Sequence, residues 1–355
     1  MTFSEILQKE KEIQAGKLRE KVPQWAGYEI EIPESINLEQ CSSSSTAIYK
    51  SSLIEGNSIA DLTGGLGVDC WAFSRKFGKI FYNDRNSVLA EAVRANFSRL
   101  GCDNVEVSAL EAEEFLGTLP EVDWIYADPA RRDGCGKKVF LLEECSPDIL
   151  RLQDRIFGKA PAMLVKLSPM ADITMLVRRF GGKLQEVHVV GNRDEVKEIL
   201  CIVRKDWNGS CRIIATDLEN TISSSPEELE ASKAEIRSPE EGMFLFEPAP
   251  ALMKAGFFNI LGLPRIAVNS HLYLSADCHG FGKNYRIIEV LPFSRKSIDE
   301  VAKKYPHCEV SCRNIPVRSE ELRKKMGVSS GDDAHIFATA DSKGNKLLII
   351  CQRVL

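Results

Sequence analysis

The chain has 355 residues, of which 44% are hydrophobic and 27% charged, and its formal net charge is −5. That length and balance predict a globular protein of two or three domains with ample core. No apolar run approaches the ~18–20 residues needed to cross a membrane, and the acidic total argues against indiscriminate nucleic-acid binding.

The first 57 residues read as a helical and irregular lead-in. Ile6, Leu7, Ile13 and Leu18 fall on one face of a docking helix, and the charged, amphipathic start is unlike a signal peptide. The lead-in closes on a polar loop at 39–50, EQCSSSSTAIYK. From Ser58 strands and helices alternate. Strands are expected at 58–62, 79–84, 104–107, 122–128, 163–167, 186–190 and 198–203. Helices are expected at 68–77, 86–100, 111–116 and 172–180. This alternation predicts an α/β domain over 58–220, built on a Rossmann-like seven-stranded sheet. Residues 221–242 are acidic and proline-punctuated, a linker leading into a small unit that ends near 280. From Tyr285 the periodicity resumes: strands YRIIEVL, CEVSC, AHIFATA and KLLIICQRV, with helices near 297–304 and 319–326. This module, 281–355, holds 14 Lys and Arg against 9 Asp and Glu, a net of +5 on an otherwise acidic body.

Eleven cysteines are scattered with no CxxC pair, as reduced thiols in a cytoplasmic protein would be. Cys308 and Cys312 lie beside His307, and Cys278 beside His279, but the spacing does not suit zinc, and no metal is expected. His188 reads as a core histidine.

The informative stretch is Ile59-Ala-Asp-Leu-Thr-Gly-Gly-Leu-Gly-Val-Asp69. A strand ends in an acid, and a glycine-rich turn opens a helix at the ligand-binding end of the sheet. A dinucleotide fingerprint would need glycine at position 70, which is Cys70. An acid in the loop approach disfavours a pyrophosphate and favours a cation. S-adenosylmethionine (SAM), with a sulfonium, an ammonium and no phosphate, therefore fits better than NAD. Asp84 ends the second strand 23 residues after Asp61, where an acid can accept ribose hydroxyls.

Residues 58–130 resemble class I SAM-dependent methyltransferases. The resemblance implies that Asp61, Thr63, Gly64, Gly65 and Gly67 line the methionine end of the cofactor. It implies that Asp84 holds the ribose, with Arg85 beside the adenine and Glu111 at the adenine amine. Asp128-Pro129-Ala130-Arg131-Arg132 resembles the [DN]PP[YFW] motif of amino-methyltransferases. There the acid and a proline carbonyl hold the target amine, so Asp128 and Pro129 are the expected catalytic pair. Alanine replaces the second proline and Arg131 the aromatic; Arg131 and Arg132 could stack on a base or bind a phosphate. Lys166, Ser168 and Asp172, after the fifth strand, could meet a substrate, although Asp172 equally suits a helix cap.

Most of the chain is similar to bacterial proteins that join such a domain to a ferredoxin-like unit, here within 221–280, and a C-terminal THUMP-like domain, here 281–355. EQCSS, DLTGGLGVD, DPARR, KLSPMADI and NSHLY carry that similarity. THUMP domains are associated with RNA modification, which implies an RNA substrate, such as tRNA or rRNA, methylated at a base nitrogen. Arg313, Arg318, Arg323, Lys324 and Lys325, around one expected helix, are candidate phosphate contacts. A methyltransferase on a protein or small molecule, and a SAM-binding RNA-interaction protein without catalysis, stay open alternatives.

Overall fold

A computed structural model describes residues 3–131 and 142–354. It divides the chain into two compact units: Met1–Val190 with Glu198–Arg212, and Gly191–Lys197 with Ile213–Leu355.

In the first unit, α1 (Phe3–Lys21), α2 (Ser35–Gln40) and α3 (Ser44–Ser52) precede β1 (Ser58–Asp61). Then come α4 (Val68–Ser74), β2 (Lys79–Asn83), α5 (Ser87–Arg99), β3 (Val105–Ser108), α6 (Ala112–Thr118) and β4 (Trp124–Ala127). After a two-residue pairing of Ala130–Arg131 with Cys145–Ser146 follow α7 (Ile149–Phe157), β5 (Ala162–Leu167), α8 (Ile173–Phe180), β6 (Leu184–Gly191) and β7 (Val196–Arg204). These seven strands lie in the order β3-β2-β1-β4-β5-β7-β6. The first five pair in parallel, and β7 runs antiparallel to β5. The expected Rossmann-like strands are present, but the sheet that holds them has nine strands, two more than the sequence suggests.

Strand period two divides the core into two layers. Ile59, Ile80, Trp124, Tyr126 and Leu164 face a cluster with residues of α3, α4 and α5, while Ala60, Ile125, Met163, Val165 and Cys201 face α6, α7 and α8. Both faces are covered, as a parallel sheet requires. The strand order reverses between β1 and β4, so the crevice at their C-terminal ends is the default ligand site of such a sheet.

Two first-unit stretches differ from the sequence reading. The expected polar loop 39–50 is mostly helix. Ser43 caps α3 by accepting from the Thr46 amide, and Ser42, Ser44, Thr46 and Ser51 are buried. The serines look solvated in sequence because their partners lie far along the chain. The lead-in is also core, with Trp25 fully buried and edge-on to Trp71. Helix α7, to which the sequence reading assigned nothing, opens on an Asp148 cap and buries Ile149, Leu152 and Ile156 at helical spacing.

In the second unit, β8 (Arg212–Thr216) and β9 (Thr221–Ser224) form an antiparallel pair. They are followed by α9 (Pro226–Ala231), which starts at a capping box of Ser225 and Glu228. Part of the expected linker is thus regular structure. The rest comprises β10 (Phe244–Pro248), α10 (Pro250–Lys254), β11 (Tyr273–Ser275), β12 (Gly282–Pro292), α11 (Arg295–Lys304), β13 (His307–Cys312), α12 (Ser319–Met326), β14 (Ser329–Ala340) and β15 (Lys346–Val354). The strands form one sheet in the order β11-β10-β12-β15-β14-β13, antiparallel except for β13 and β14. The boundary expected at 280 therefore falls inside a sheet, because β10 pairs along β12 from Phe244 to Pro248. All cysteines among the described residues are free thiols, and no helix is long and apolar enough to cross a membrane. Among the described residues no cluster of metal-ligating side chains is found.

Candidate functional site

The turn after β1 is built by packing as much as by ligand clearance. A Cβ on Gly64 would lie 2.0 Å from the Tyr82 ring, and one on Gly67 2.8 Å from Phe97. Gly65 and Gly67 have φ of 54° and 85°, which only glycine adopts readily. Tyr82 locks the turn by donating to the Gly65 carbonyl at 2.6 Å, and the Gly64 amide donates to the Asn83 carbonyl at 2.8 Å. The space above Gly65 is open; the nearest atom to its imagined Cβ is 3.9 Å away.

Three strand-end acids meet at this turn. Asp61 is buried; its carboxyl accepts from the Thr63 amide at 2.9 Å and from the Cys70 thiol at 3.2 Å. Burial raises its pKa to about 8, against the pull of the Thr63 amide and with a further push from Asp69. Half-buried Asp84 accepts from the Gly65 amide at 3.0 Å and from the Asn86 amide at 2.9 Å. Asn86, not Asp84, caps α5. The Asp128 amide donates to the Thr63 hydroxyl at 2.6 Å, tying the end of β4 to the turn. Cys70, where a dinucleotide turn would have glycine, is fully buried.

The Asp128 carboxylate is paired with Lys166 of β5 through Oδ2, and no described residue bonds Oδ1. Burial alone would lower the pKa of Lys166, but Asp128, Asp69 and Glu198 together raise it well above the ordinary lysine range, so it is a fixed cation. Pro129 is buried beside Asp128. Arg131 lies in the two-residue pairing with Cys145–Ser146, its side chain outside what is described, and Arg132 lies outside the described residues altogether.

Beneath this pair sits a buried network that the sequence reading missed. Lys50 has no exposed surface. Its ammonium reaches both Glu198 oxygens at 2.9 and 3.0 Å, Asp69 at 3.1 Å and the Ser42 hydroxyl at 3.0 Å. Ser42 and Tyr126 each donate to Asp69 Oδ2 at 2.8 Å. Burial works against the Asp69 charge, yet Lys50 and Lys166 hold its pKa below the usual carboxylate value. The only signal in sequence was that Ser42 and Asp69 fall inside the EQCSS and DLTGGLGVD segments. His188, expected in the core, is buried with both ring nitrogens partnered, by Tyr49 at 2.8 Å and Glu186 at 2.9 Å.

The other candidates are peripheral. Arg85 and Glu111 are exposed, and Glu111 occupies the N-cap position of α6 without a side-chain bond. Leu110 beside it is held by reciprocal bonds to the Asn83 amide side chain, at 2.9 and 3.0 Å. Asp172 caps α8, accepting from the Met175 amide at 3.0 Å. In the second unit Arg323, Lys324 and Lys325 form the last turn of α12, where cations complement the helix dipole. Arg313 is not with them: it follows β13 and donates to Glu247 at 2.7 Å.

Seven strands in this order, with a glycine turn after β1 and acids ending β1, β2 and β4, define a Rossmann-like domain of the methyltransferase type. Residues 244–281 match a ferredoxin-like domain family and residues 282–353 a THUMP domain-like family. The crystal structure of a candidate methyltransferase from Porphyromonas gingivalis W83 superimposes with a TM-score of 0.87 at 32% identity, covering 96% of this chain and 88% of that one. The chain belongs to that methyltransferase family, in which the Rossmann-like domain is joined to ferredoxin-like and THUMP-like modules. A precorrin-6y C5,15-methyltransferase from Geobacter metallireducens GS-15 shares 15% identity over 52% of this chain and 95% of its own, with a TM-score of 0.34. An rRNA methylase from Streptococcus thermophilus shares 13% over 49% and 98%, also with a TM-score of 0.34. Neither contributes to the assignment. No curated protein matches the chain.

Proposed function

We propose that this protein is a SAM-dependent methyltransferase that acts on RNA, at a base nitrogen, in the cytoplasm. The observation that supports the cofactor is the meeting of Asp61, Asp84 and Asp128 on one glycine turn through the Thr63 and Gly65 hydrogen bonds. Carboxyl oxygens at this turn can accept from ribose hydroxyls and an ammonium, whereas a pyrophosphate brings only acceptors of its own. The open space over Gly65 leaves room for SAM. SAM supplies an electrophilic methyl group. Asp61, Thr63, Gly64, Gly65 and Gly67 would hold its methionine end and Asp84 its ribose, with Arg85 and Glu111 toward the adenine. Asp128 has lone pairs to spare beyond its bond to Lys166. It can accept an N–H of the target amine through Oδ1 and turn the nitrogen lone pair toward the methyl group, with the Pro129 carbonyl as a second acceptor. Lys166 holds that carboxylate in place, so positioning rather than general-base strength does the chemistry. Arg131 and Arg132 follow as base- or phosphate-binding cations. The support for RNA is the basic, THUMP-like segment, with Arg323, Lys324 and Lys325 as phosphate contacts.

The test is transfer of tritiated methyl from SAM to total RNA of cells lacking this protein. Label should enter RNA with the parent protein. Asp128→Ala should abolish incorporation while calorimetry shows SAM still bound. Label entering protein or metabolites instead of RNA, or undiminished transfer by the variant, rejects the reading.

A further inference from the structure

A cleft of about 450 Å³ lies within the second unit, a size typical of small-ligand sites. The NSHLY segment, which the methyltransferase site leaves unused, supplies Asn269, Ser270 and His271 to it. One wall is apolar, made by Pro248, Pro250 and Met253. The cations Arg193, Lys283 and Arg313 complete the lining together with Asp194 and Glu247. Lys283 is paired with Asp194 at 2.7 Å and Arg313 with Glu247 at 2.7 Å. Arg193, exposed on the turn between β6 and β7, makes no close ion pair among the described residues and acts on Asp194 only at longer range, so the three cations and two carboxylates of the lining leave a net charge of one positive. His271 stacks on Phe258, with centroids 4.9 Å apart and planes within 24°. Burial, with a push from Arg265, lowers its pKa and so favours the neutral ring.

These features match one chemical unit. A net charge of one positive balances a single phosphodiester charge. A flat, stacked imidazole beside an apolar wall suits a nucleobase face. An exposed asparagine carries both a donor and an acceptor for a base edge. A purely apolar ligand would meet five charged side chains, and a polyphosphate would find too few free cations. We propose that this cleft seats one nucleotide of a single-stranded RNA, with its phosphate on Arg193, its base beside the His271–Phe258 stack, and Asn269 at the base edge. This rests on the RNA reading above and adds where the strand is gripped.

The test uses the full chain and a fluorescein-labelled ten-nucleotide single-stranded RNA of mixed sequence, followed by anisotropy over a range of salt. Arg193→Glu should weaken binding at least tenfold and make the slope of log affinity against log salt shallower by about 0.7, the value of one phosphate contact. His271→Ala should weaken binding about tenfold with the slope unchanged. SAM affinity and melting temperature should stay at parental values in both. Parental RNA affinity in both variants, or an Arg193→Glu loss with an unaltered slope, overturns the cleft assignment. Methyl transfer to RNA, measured in parallel, separates the two claims. Transfer with cleft variants that bind like the parent removes the cleft and keeps the enzyme. RNA held through the cleft without any transfer keeps the cleft and removes the enzyme.

Discussion

Single carboxylates in this site take their properties from burial and from residues distant in sequence. Asp61 is the clearest case. Its folded pKa of about 8 lies above the ordinary aspartate value of 3.8. Between those pH values the folded chain keeps a proton that the unfolded chain releases. Stability therefore falls as pH rises from about 4 to about 8 and then levels off. Asp61→Asn removes this dependence. Denaturant unfolding should find the variant more stable than the parent at pH 8, by on the order of a few kcal/mol, with the advantage shrinking toward pH 4. Parallel pH profiles for the two proteins would show that Asp61 ionises freely. At Asp84 the expectation concerns binding. Asp84→Ala should weaken SAM by about 1.5–3 kcal/mol, measured by calorimetry, while NADH binds neither protein. Asp61, Asp84 and Asp128 were legible in sequence because each ends an apolar strand. Lys50 and Glu198 were not, because they meet across 148 positions and neither lies in a ligand-binding pattern.

The element that organises the site is the turn from β1 into α4, and its glycines differ in why they are glycine. An alanine at Gly64 would overlap the Tyr82 ring, which is fixed by its own bond to Gly65. At Gly65 the space is free, and only the positive φ opposes a side chain. Gly64→Ala should destabilise the protein by about 3 kcal/mol and abolish SAM binding. Gly65→Ala should lose about 1–2 kcal/mol of stability. Chemical denaturation of both variants checks the order; equal effects would mean that the turn yields at Tyr82. The spacing of the three glycines was readable in sequence, but their separate reasons were not, since Tyr82 and Phe97 sit on the next strand and helix. Helices α3 and α9 escaped for another reason, since their caps are local, each serine accepting from the amide three residues on. Ser43 and Ser225 look like loop residues until the helices they cap are in view.

For the whole molecule, charge is divided as the sequence indicates, with the excess of cations in 281–355 on an acidic remainder. If α12 carries phosphate contacts, reversing Arg323, Lys324 and Lys325 to glutamate should weaken RNA binding and flatten its salt dependence, with SAM affinity unchanged. Unaltered RNA affinity would leave these side chains only their role at the helix end. Seven strands and a glycine turn were legible here because local periodicity encodes them. The joining of two modules into one sheet was not, because pairing between β10 and β12 depends on backbone bonds that side-chain patterns do not name.

That shared sheet bears on how such a protein can change over generations. Strand β10, from the segment that matches one family, lies between β11 and β12, and β12 belongs to the segment that matches the other. A chain ending after residue 281 would leave one whole edge of β10 without partners and uncover the layer where Leu245 and Leu274 pack on Ile287, Phe337 and Ile349. Neither segment completes the sheet without the other, although sequence comparison separates them. Calorimetry should accordingly show 244–353 melting in a single transition; two resolved transitions within it would make them independent parts. If they melt as one, an exchange of either segment between proteins would have to carry the other with it.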